Sequence, residues 1–329
     1  MHIHPQLWPY VIAATLGLPL LVLAGDGLLQ RWKRLSLRGR WIGGGALALF
    51  ALVYGVGVYS VFIEPNQVVV RRVEVVSPHW KGAPLTVAVI GDTHVGSAHV
   101  NAERIEKLVG RIDDLRPDMV VLLGDYVAGH KPEAQRNGAD IDDLNRSLAA
   151  FAVLNAPLGV VAVIGNHDVW YGRQPITQAL QDAGVAVLWN RNITIQRPGG
   201  AFVVGGLEDD TTGHPDFTAA LDGAPPIDTI VLSHSPDPFP QAPANVALML
   251  AAHTHCGQVS LPLIGRPLVP SRFGQRYACH RVDENGRTLY VTGGVGTSML
   301  PLRFMNPPEV VLITIRSGAA NSAPLPPMN

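Results

Sequence analysis

Two long uncharged runs stand near the start of the chain, at residues 7–25 and 41–63. Each run is long enough to cross the roughly 30 Å hydrocarbon core of a bilayer as a helix. Aromatic residues, which favour the membrane–water boundary, lie close to the ends of both runs: Trp8, Tyr10, Trp32, Trp41 and Tyr59. The pattern predicts a hairpin of two transmembrane helices over residues 1–63, in an inner or plasma membrane.

The segment between the two runs, residues 31–40, is basic and contains no acidic residue. Short loops of this kind stay in the cytoplasm, so we expect everything after residue 63 on the extracytoplasmic side. A cleaved signal peptide would need positive charges before the first run and a small-residue cleavage site after it, and both are lacking. Two buried core helices are the other alternative, but uncharged stretches of this length are unusual in a soluble core.

From about residue 66 to 316, short apolar runs alternate with helical patterns. Six runs rich in Val, Ile and Leu each end in a polar cluster; they cover residues 85–92, 118–125, 159–168, 201–210, 228–234 and 246–255. Such runs fit strands that are buried on both faces. Between the first two, Asn101 can cap a helix whose Ile105, Leu108 and Ile112 follow the helical period.

These patterns divide the rest of the chain. Residues 64–316 are expected to form one α/β layered domain with a mixed sheet or a pair of sheets. The stretch from residue 64 to about 85 would tether this domain to the second membrane helix. The small, polar and proline-rich end, residues 317–329, is expected to be a disordered tail.

Composition narrows the classes of function. Hydrophobic residues make up 47% of the chain and charged residues 16%, with a mean hydropathy of +0.19, and the two N-terminal runs hold much of this excess. The net charge of -1 gives no general attraction for nucleic acid, so we expect no nucleic-acid binding. Two cysteines, Cys256 and Cys279, are too few for a disulfide framework or a cysteine-rich zinc site.

Side chains of the kind that bind metals follow the predicted strands: Asp92, His94, Asp125, Asn166, His167, His234, His253 and His255. In α/β sheets, sites form beyond the carboxyl ends of strands, so we expect these residues to meet at one rim. Oxygen and imidazole ligands without thiolates suit manganese, iron or zinc. If residues 253–255 are extended, the side chains of His253 and His255 share a face and could contact one ion or two adjacent ions.

In their order along the chain, these motifs resemble those of the calcineurin-like metallophosphoesterase superfamily. The resemblance covers roughly residues 85–315, and residues 289–315 are similar to its membrane-associated bacterial phosphodiesterase branch. It implies a four-layer αββα sandwich with two metal ions. The ligands that it implies are Asp92, His94 and His255 for one ion, Asn166, His234 and His253 for the other, and Asp125 as the bridge. It also implies that His167 lies over the phosphate as an acid or charge stabiliser, with Asp168 orienting its ring.

Three positions depart from the pattern or lie beyond it. Ala252 replaces the usual glycine of the last motif, a minor change if its backbone is not left-handed. Cys256 could be a soft metal ligand, an inert thiol, or the partner of Cys279 in a disulfide in an oxidising compartment. Arg303 is a candidate phosphate clamp, because a guanidinium can grip two phosphate oxygens, and a structural tie to carbonyls is the alternative.

We expect a membrane-anchored phosphohydrolase that cleaves phosphodiester or pyrophosphate bonds with a hydroxide bridging two divalent ions of manganese, zinc or iron. A lipid-linked or cell-envelope phosphate is the candidate substrate. The motif after Asp125 lacks the second Asp and the Arg-Gly of the serine/threonine phosphatase branch, which argues against a protein phosphatase. The alternatives are a phosphomonoesterase and a non-catalytic metal-binding membrane module.

Overall fold

The computed structural model describes residues 4–318. The two uncharged runs form helices α1 (Trp8–Arg31) and α2 (Leu37–Val58). Helix α2 continues without a break through a π-helical turn at Tyr59–Ile63 and a 3-10 turn at Glu64–Asn66. The predicted boundary between residues 63 and 64 therefore falls inside a continuous helical segment.

The helical segments Pro5–Arg34 and Leu37–Asn66 are long and apolar enough to cross a membrane. Only 6% and 11% of their most apolar windows are buried, which distinguishes them from the core helices of a soluble protein. The two helices contact each other, since the Tyr54 hydroxyl donates a hydrogen bond to the Ala14 carbonyl at 2.8 Å. A side chain at Gly17 would lie 2.5 Å from the Tyr54 ring, so glycine permits this contact.

The first of two six-stranded sheets, sheet A, has the strand order β1-β12-β2-β3-β4-β5. Its strands are β1 (Val69–Ser77), β2 (Leu85–Ile90), β3 (Met119–Leu122), β4 (Val160–Ala162), β5 (Ala186–Val187) and β12 (Glu309–Ser317). The β12–β2 pair is antiparallel and the other pairs are parallel. Sheet A is therefore mixed.

The second sheet, sheet B, has the order β10-β11-β9-β8-β7-β6. Its strands are β6 (Arg191–Ile195), β7 (Phe202–Gly206), β8 (Thr229–Leu232), β9 (Leu248–Ala251), β10 (His280–Glu284) and β11 (Arg287–Val291). The four central strands are parallel, and β6 and β10 run antiparallel at the two edges.

The two sheets pack face to face, which explains the continuous apolar runs. Alternate residues of β2 show this: Val87 and Val89 belong to the core between the sheets, whereas Ala88 and Ile90 face the helical layer. That layer contains α3 (Ala102–Asp114), α4 (Gly138–Ala149) and α5 (Asn166–Asp182). Outside sheet B lie the short α6 (Phe217–Ala220) and a third apolar cluster. The four-layer αββα arrangement is confirmed.

Of the two predicted alternatives, a mixed sheet or a pair of sheets, the structure has the pair, and both sheets contribute to the rim. The polar clusters of three predicted strands follow β2, β3 and β4 in sheet A, and those of the other three follow β7, β8 and β9 in sheet B. A buried apolar run does not specify which of two sheets it joins. The helix predicted after Asn101 is confirmed. The Asn101 side chain caps it, because its Oδ1 accepts a hydrogen bond from the Arg104 N–H at 3.0 Å.

The predicted tether is a docked junction. Strand β1 pairs with β12 along all of its nine residues, and the Glu64 carboxylate is buried. It accepts hydrogen bonds from the backbone N–H groups of Met305 at 3.0 Å and Asn306 at 2.6 Å. The Arg303 N–H donates to the Ser60 carbonyl at 2.9 Å. The second helix is therefore fixed to the loop that precedes β12.

The end of the chain also differs from the prediction. Strand β12 extends to Ser317, so the expected disordered tail does not begin at residue 317. Residues 319–329, where the rest of that predicted tail falls, lie outside the described residues.

Candidate metal centre

A first group of ligand-type residues, Asp92, His94 and His255, follows β2 and β9. Nε2 of His94 lies 3.1 Å from Nε2 of His255, which in turn lies 3.9 Å from Oδ1 of Asp92. All three side chains are buried. We call these residues the first ligand group.

A second ligand group contains Asn166, His234 and His253. Nε2 of His234 lies 3.1 Å from Oδ1 of Asn166 and 3.1 Å from Nδ1 of His253. Asn166 begins α5, and the two histidines follow β8 and β9. The pair His253 and His255 is thus divided between the two groups.

Asp125 lies between the groups. Its Oδ2 is 3.5 Å from Nε2 of His94 and 3.3 Å from Nε2 of His234. Its Oδ1 accepts a hydrogen bond from the backbone N–H of His167 at 2.8 Å, which fixes the carboxylate. The structure therefore brings together the seven residues that the sequence singled out as metal ligands, with one carboxylate oxygen facing both groups.

The chemistry of these donors fits divalent cations. Burial lowers the pKa of His94 to about 3 and that of His253 to about 4, and it also lowers the pKa of His255. Neutral imidazoles keep a lone pair for a metal. Metal–ligand bonds of about 2.0–2.2 Å bring ligand atoms around one ion to about 3–3.5 Å from each other, close to the spacings observed.

His234 behaves differently because it lies beside an ionised carboxylate. Burial alone would lower its pKa, but the charge and hydrogen bond of Asp125 raise that pKa well above its ordinary value. The same negative charge would favour a metal cation in place of the proton.

The backbone at the site is left-handed at five of the seven positions. These are Asp92 (φ 49°), His94 (φ 47°), Asp125 (φ 55°), His253 (φ 68°) and His255 (φ 50°). Such conformations are uncommon outside glycine and cluster at functional sites. The assumption that residues 253–255 are extended was wrong, because the backbone is left-handed at both histidines. Their side chains enter different ligand groups. The backbone at Ala252 is not left-handed, so alanine in place of the usual glycine is a minor change, as expected.

Two glycines allow the ligand loops to approach one another. A side chain at Gly165 would place its Cβ 2.3 Å from Oδ1 of Asp125 and 2.8 Å from Cε1 of His234. Gly124 has a φ of 87°, and its Cβ would lie 2.4 Å from the backbone nitrogen of Gly165. These contacts explain why glycine precedes both Asp125 and Asn166.

Asp168 has a role that the sequence did not predict. Its buried carboxylate accepts hydrogen bonds from four backbone N–H groups: those of Asp125 (2.8 Å), Tyr126 (2.8 Å), Val127 (3.3 Å) and Gly165 (3.0 Å). The ring of His167 instead has Nδ1 2.8 Å from the Gly129 carbonyl. The prediction that Asp168 orients this ring was therefore wrong. Asp168 is a positioning residue for the loop that carries Asp125.

His167 lies at the edge of both groups. Because its Nδ1 faces the Gly129 carbonyl, the neutral ring donates from Nδ1 and leaves a lone pair on Nε2. That Nε2 is 4.0 Å from Oδ2 of Asp125. Burial lowers the pKa of His167, which favours the neutral ring before substrate binds. By position, this ring can contact either a ligand in the cleft or a metal ion.

A cleft of about 200 Å³ opens beside His94 and His167. Its other walls include Gln6, before α1, and His130, whose ring centroid is 4.9 Å from that of His167. Sequence reasoning missed both, because nothing local to residue 6 or residue 130 shows that it reaches the site.

The structure corrects the prediction for Arg303. Its guanidinium is completely buried and donates hydrogen bonds to four backbone carbonyls, those of Gly293 (2.7 Å), Gly294 (3.3 Å), Gly296 (2.6 Å) and Asn306 (3.0 Å). A phosphate in the cleft cannot displace these contacts without disrupting the loop. Arg303 is the structural tie that was the alternative to a phosphate clamp.

Cys256, directly after His255, forms a disulfide with Cys279, and the two Cα atoms are 4.7 Å apart. Of the three roles left open for Cys256, the structure therefore shows the disulfide. The bond joins the loop after β9 to the start of β10 beside the first ligand group.

A known protein family matches the part of the chain that carries these residues. The calcineurin-like phosphoesterase profile matches residues 85–257, which include every ligand of both groups. An uncharacterised metallophosphoesterase of Bacillus subtilis, YkuE, is 29% identical over 87% of this chain and 98% of its own length. One from Aquifex aeolicus is 30% identical over 72% of this chain and 87% of its own length.

A third relative is named for its activity. The phosphodiesterase YaeI of Escherichia coli is 29% identical over 78% of this chain and 92% of its own length. The matches thus cover most of each relative, and the profile covers more than half of the chain. This chain therefore belongs to the calcineurin-like phosphoesterase family.

Proposed function

We propose that this enzyme is a membrane-anchored phosphodiesterase or pyrophosphohydrolase that uses two divalent metal ions. The observation that carries the proposal is the position of Asp125, whose Oδ2 faces a histidine of each ligand group at 3.5 and 3.3 Å. A carboxylate oxygen in this position can bridge two cations. The name of the relative YaeI supports phosphodiesters over monoesters.

The proposed ligands are those implied by the resemblance: the first ligand group for one ion, the second for the other, and Asp125 for both. When bound, the ions would activate a water molecule and neutralise charge on the phosphate. The backbone N–H of His167 holds Oδ1 of the Asp125 carboxylate, and Asp168 holds the backbone that carries it.

His167 is proposed to act on the substrate. Nδ1 is held by the Gly129 carbonyl, so Nε2 is the atom available to the cleft. The negative charge of an entering phosphate would favour a proton on Nε2. The protonated ring could then donate a hydrogen bond to a phosphate oxygen or a proton to the leaving group.

The proposed anchor is the hairpin of α1 and α2. The basic loop at residues 31–40 lies at one end of the hairpin, whereas Gln6 and the Glu64–Asn66 turn lie at the other, beside the catalytic domain. If the basic loop is cytoplasmic, the cleft is extracytoplasmic and close to the membrane surface. A disulfide between Cys256 and Cys279 agrees with an oxidising compartment.

The proposed function is tested by hydrolysis of two aryl phosphates by the full chain in detergent, with Mn²⁺, Zn²⁺ or Fe²⁺. We expect the diester bis(p-nitrophenyl) phosphate to be hydrolysed at least about tenfold faster than the monoester p-nitrophenyl phosphate, a difference of about 1.4 kcal/mol in activation free energy. A preference for the monoester would support a phosphomonoesterase. No turnover with any metal would support the non-catalytic module.

Replacing His167 with Ala is expected to lower the rate of diester hydrolysis by about 10²- to 10⁴-fold, because a proton donor is lost. Both ions should remain bound, as measured by elemental analysis. The control is His130→Ala, which removes a neighbouring ring of the same cleft and should cost much less activity. Loss of one ion in His167→Ala would show that His167 is a metal ligand.

Membrane orientation is tested with reporter fusions. Alkaline phosphatase, which is active only outside the cytoplasm, should be active when fused after Asn329 and inactive when inserted between Arg34 and Leu35. The reverse pattern would place the catalytic domain in the cytoplasm.

A further inference from the structure

An apolar groove of about 420 Å³ lies where the two long helices meet the catalytic domain. Helix α1 contributes Ala14, α2 contributes Tyr54 and Gly57, and the loops after β9 and β11 contribute Leu261 and Leu302. Its volume is in the range of small-ligand sites, which hold about 300–1,000 Å³. The groove is thus formed jointly by membrane-type helices and the enzyme domain.

This groove and the metal cleft are lined by neighbouring positions of one backbone strip, residues 300–302. Leu300 lines the cleft, whereas Leu302 lines the groove. The strip is held by Gln258, whose Nε2 donates to the carbonyls of Leu300 at 3.1 Å and Leu302 at 3.2 Å. Two extended residues span at most about 7 Å, so one molecule could occupy both spaces.

Large apolar side chains are exposed on the loops after β9 and β11. Met299 is 79% exposed, Ile264 is 68% exposed, and Leu263, Leu268 and Met305 are also exposed. Clusters of large exposed apolar residues mark contacts with membranes or proteins. Here they belong to the loops that form the groove and the cleft, next to helices whose own apolar side chains are exposed. A lipid surface would cover all of them together.

We propose that the groove binds the hydrocarbon chain of a membrane amphiphile while its phosphodiester occupies the metal cleft. This inference rests on the proposed function and names its substrate class: a phosphodiester with a long alkyl or acyl chain close to the phosphate. The groove lies between helices proposed to stand in the bilayer, so a chain can enter it without crossing water.

Two glycines of α2 provide a matched pair of variants. Gly57 lines the groove, and among residues 4–318 no atom lies within 4 Å of a Cβ added there, so leucine can fill the groove without displacing the backbone. Gly55 is equally open, but two helical residues are about 200° apart around the axis, so leucine at Gly55 points elsewhere. Both variants add the same bulk to the same helix.

The test uses two substrates with the same scissile bond, p-nitrophenyl ethyl phosphate and p-nitrophenyl hexadecyl phosphate, with the Mn²⁺-loaded full chain in mixed micelles. We expect kcat/KM to be at least tenfold higher for the hexadecyl ester. Gly57→Leu should remove most of this preference, measured as the ratio of kcat/KM for the two esters in the same variant. Gly55→Leu should keep the preference.

A photoreactive hexadecyl phosphate in vesicles of phosphatidylglycerol and phosphatidylethanolamine gives a readout independent of turnover. We expect labelling in peptides that contain Leu261 or Leu302, and less labelling in Gly57→Leu.

Four outcomes would overturn the inference. These are equal kcat/KM for both esters, a preference retained in Gly57→Leu, labelling confined to the outer faces of the helices, and a second copy of the chain cross-linked in the groove. The first two leave the phosphodiesterase proposal intact if the ethyl ester is hydrolysed. Failure to hydrolyse either ester would instead overturn the proposed function and this inference with it.

Discussion

Replacing Asp125 with Ala is expected to remove both metal ions and to lower diester hydrolysis by at least about 10³-fold, or roughly 4 kcal/mol of transition-state stabilisation. Its Oδ2 faces both ligand groups, at 3.5 Å from His94 and 3.3 Å from His234. Loss of this carboxylate also leaves buried histidines without the negative charge that balances a cation. Metal content by elemental analysis and initial rates on bis(p-nitrophenyl) phosphate measure the two effects.

The matched control is Asp182→Ala. The Asp182 carboxylate lies on the surface at the end of α5, where it accepts a hydrogen bond from Gln178, so metal content and rate should stay within about twofold of the parent chain. Retention of two ions in Asp125→Ala would contradict the bridging role.

Replacing Asp168 with Ala is expected to reduce stability by about 3–5 kcal/mol and to abolish activity. The change leaves four N–H groups without their acceptor, and each unsatisfied buried donor costs about 1–3 kcal/mol. Burial raises the pKa of Asp168 to about 7, so relief of a buried charge offsets part of this loss. Thermal unfolding in detergent should show Tm lower by roughly 10 °C or more.

The control for Asp168→Ala is Asp216→Ala. It removes a carboxylate that also accepts backbone hydrogen bonds, but at an exposed position. Asp216 also accepts hydrogen bonds from two backbone N–H groups, those of Thr218 and Ala219, but at the exposed start of α6. Its loss should cost about 1 kcal/mol and leave activity unchanged. Equal shifts in Tm for the two variants would contradict the positioning role of Asp168.

The sequence was sufficient to predict the residues that converge at the site, because each follows an apolar strand. It could not show that β2 and β9 belong to different sheets, since both are buried on two faces. Nor could it show the left-handed backbone at His253 and His255, which depends on the path of the whole loop.

Errors arose where the partner of a polar side chain is distant in sequence. Arg303 and Asp168 both look like residues that act on a phosphate or on a catalytic ring, but each is buried against backbone groups. The residue type determines how many hydrogen bonds a side chain can donate or accept. Only the fold determines which groups lie within reach of that side chain. The docked contacts of Glu64 were missed for the same reason.

The junction changes how the proposed membrane anchor is understood. A loose tether would only raise the concentration of lipid substrates near the enzyme. The contacts of Glu64 and Ser60 with the loop before β12 instead fix the cleft at the end of the helices. We therefore expect the position of the cleft relative to the membrane to be constant.

We propose that this chain hydrolyses phosphodiesters with two ions held around Asp125. It is tested most directly by adding Mn²⁺ in steps to the chelator-treated full chain while measuring hydrolysis of bis(p-nitrophenyl) phosphate and the electron paramagnetic resonance of bound manganese. We predict that activity returns as the second ion per chain binds, together with the spectrum of a magnetically coupled pair. Full activity with one ion, or with none, would contradict the claim.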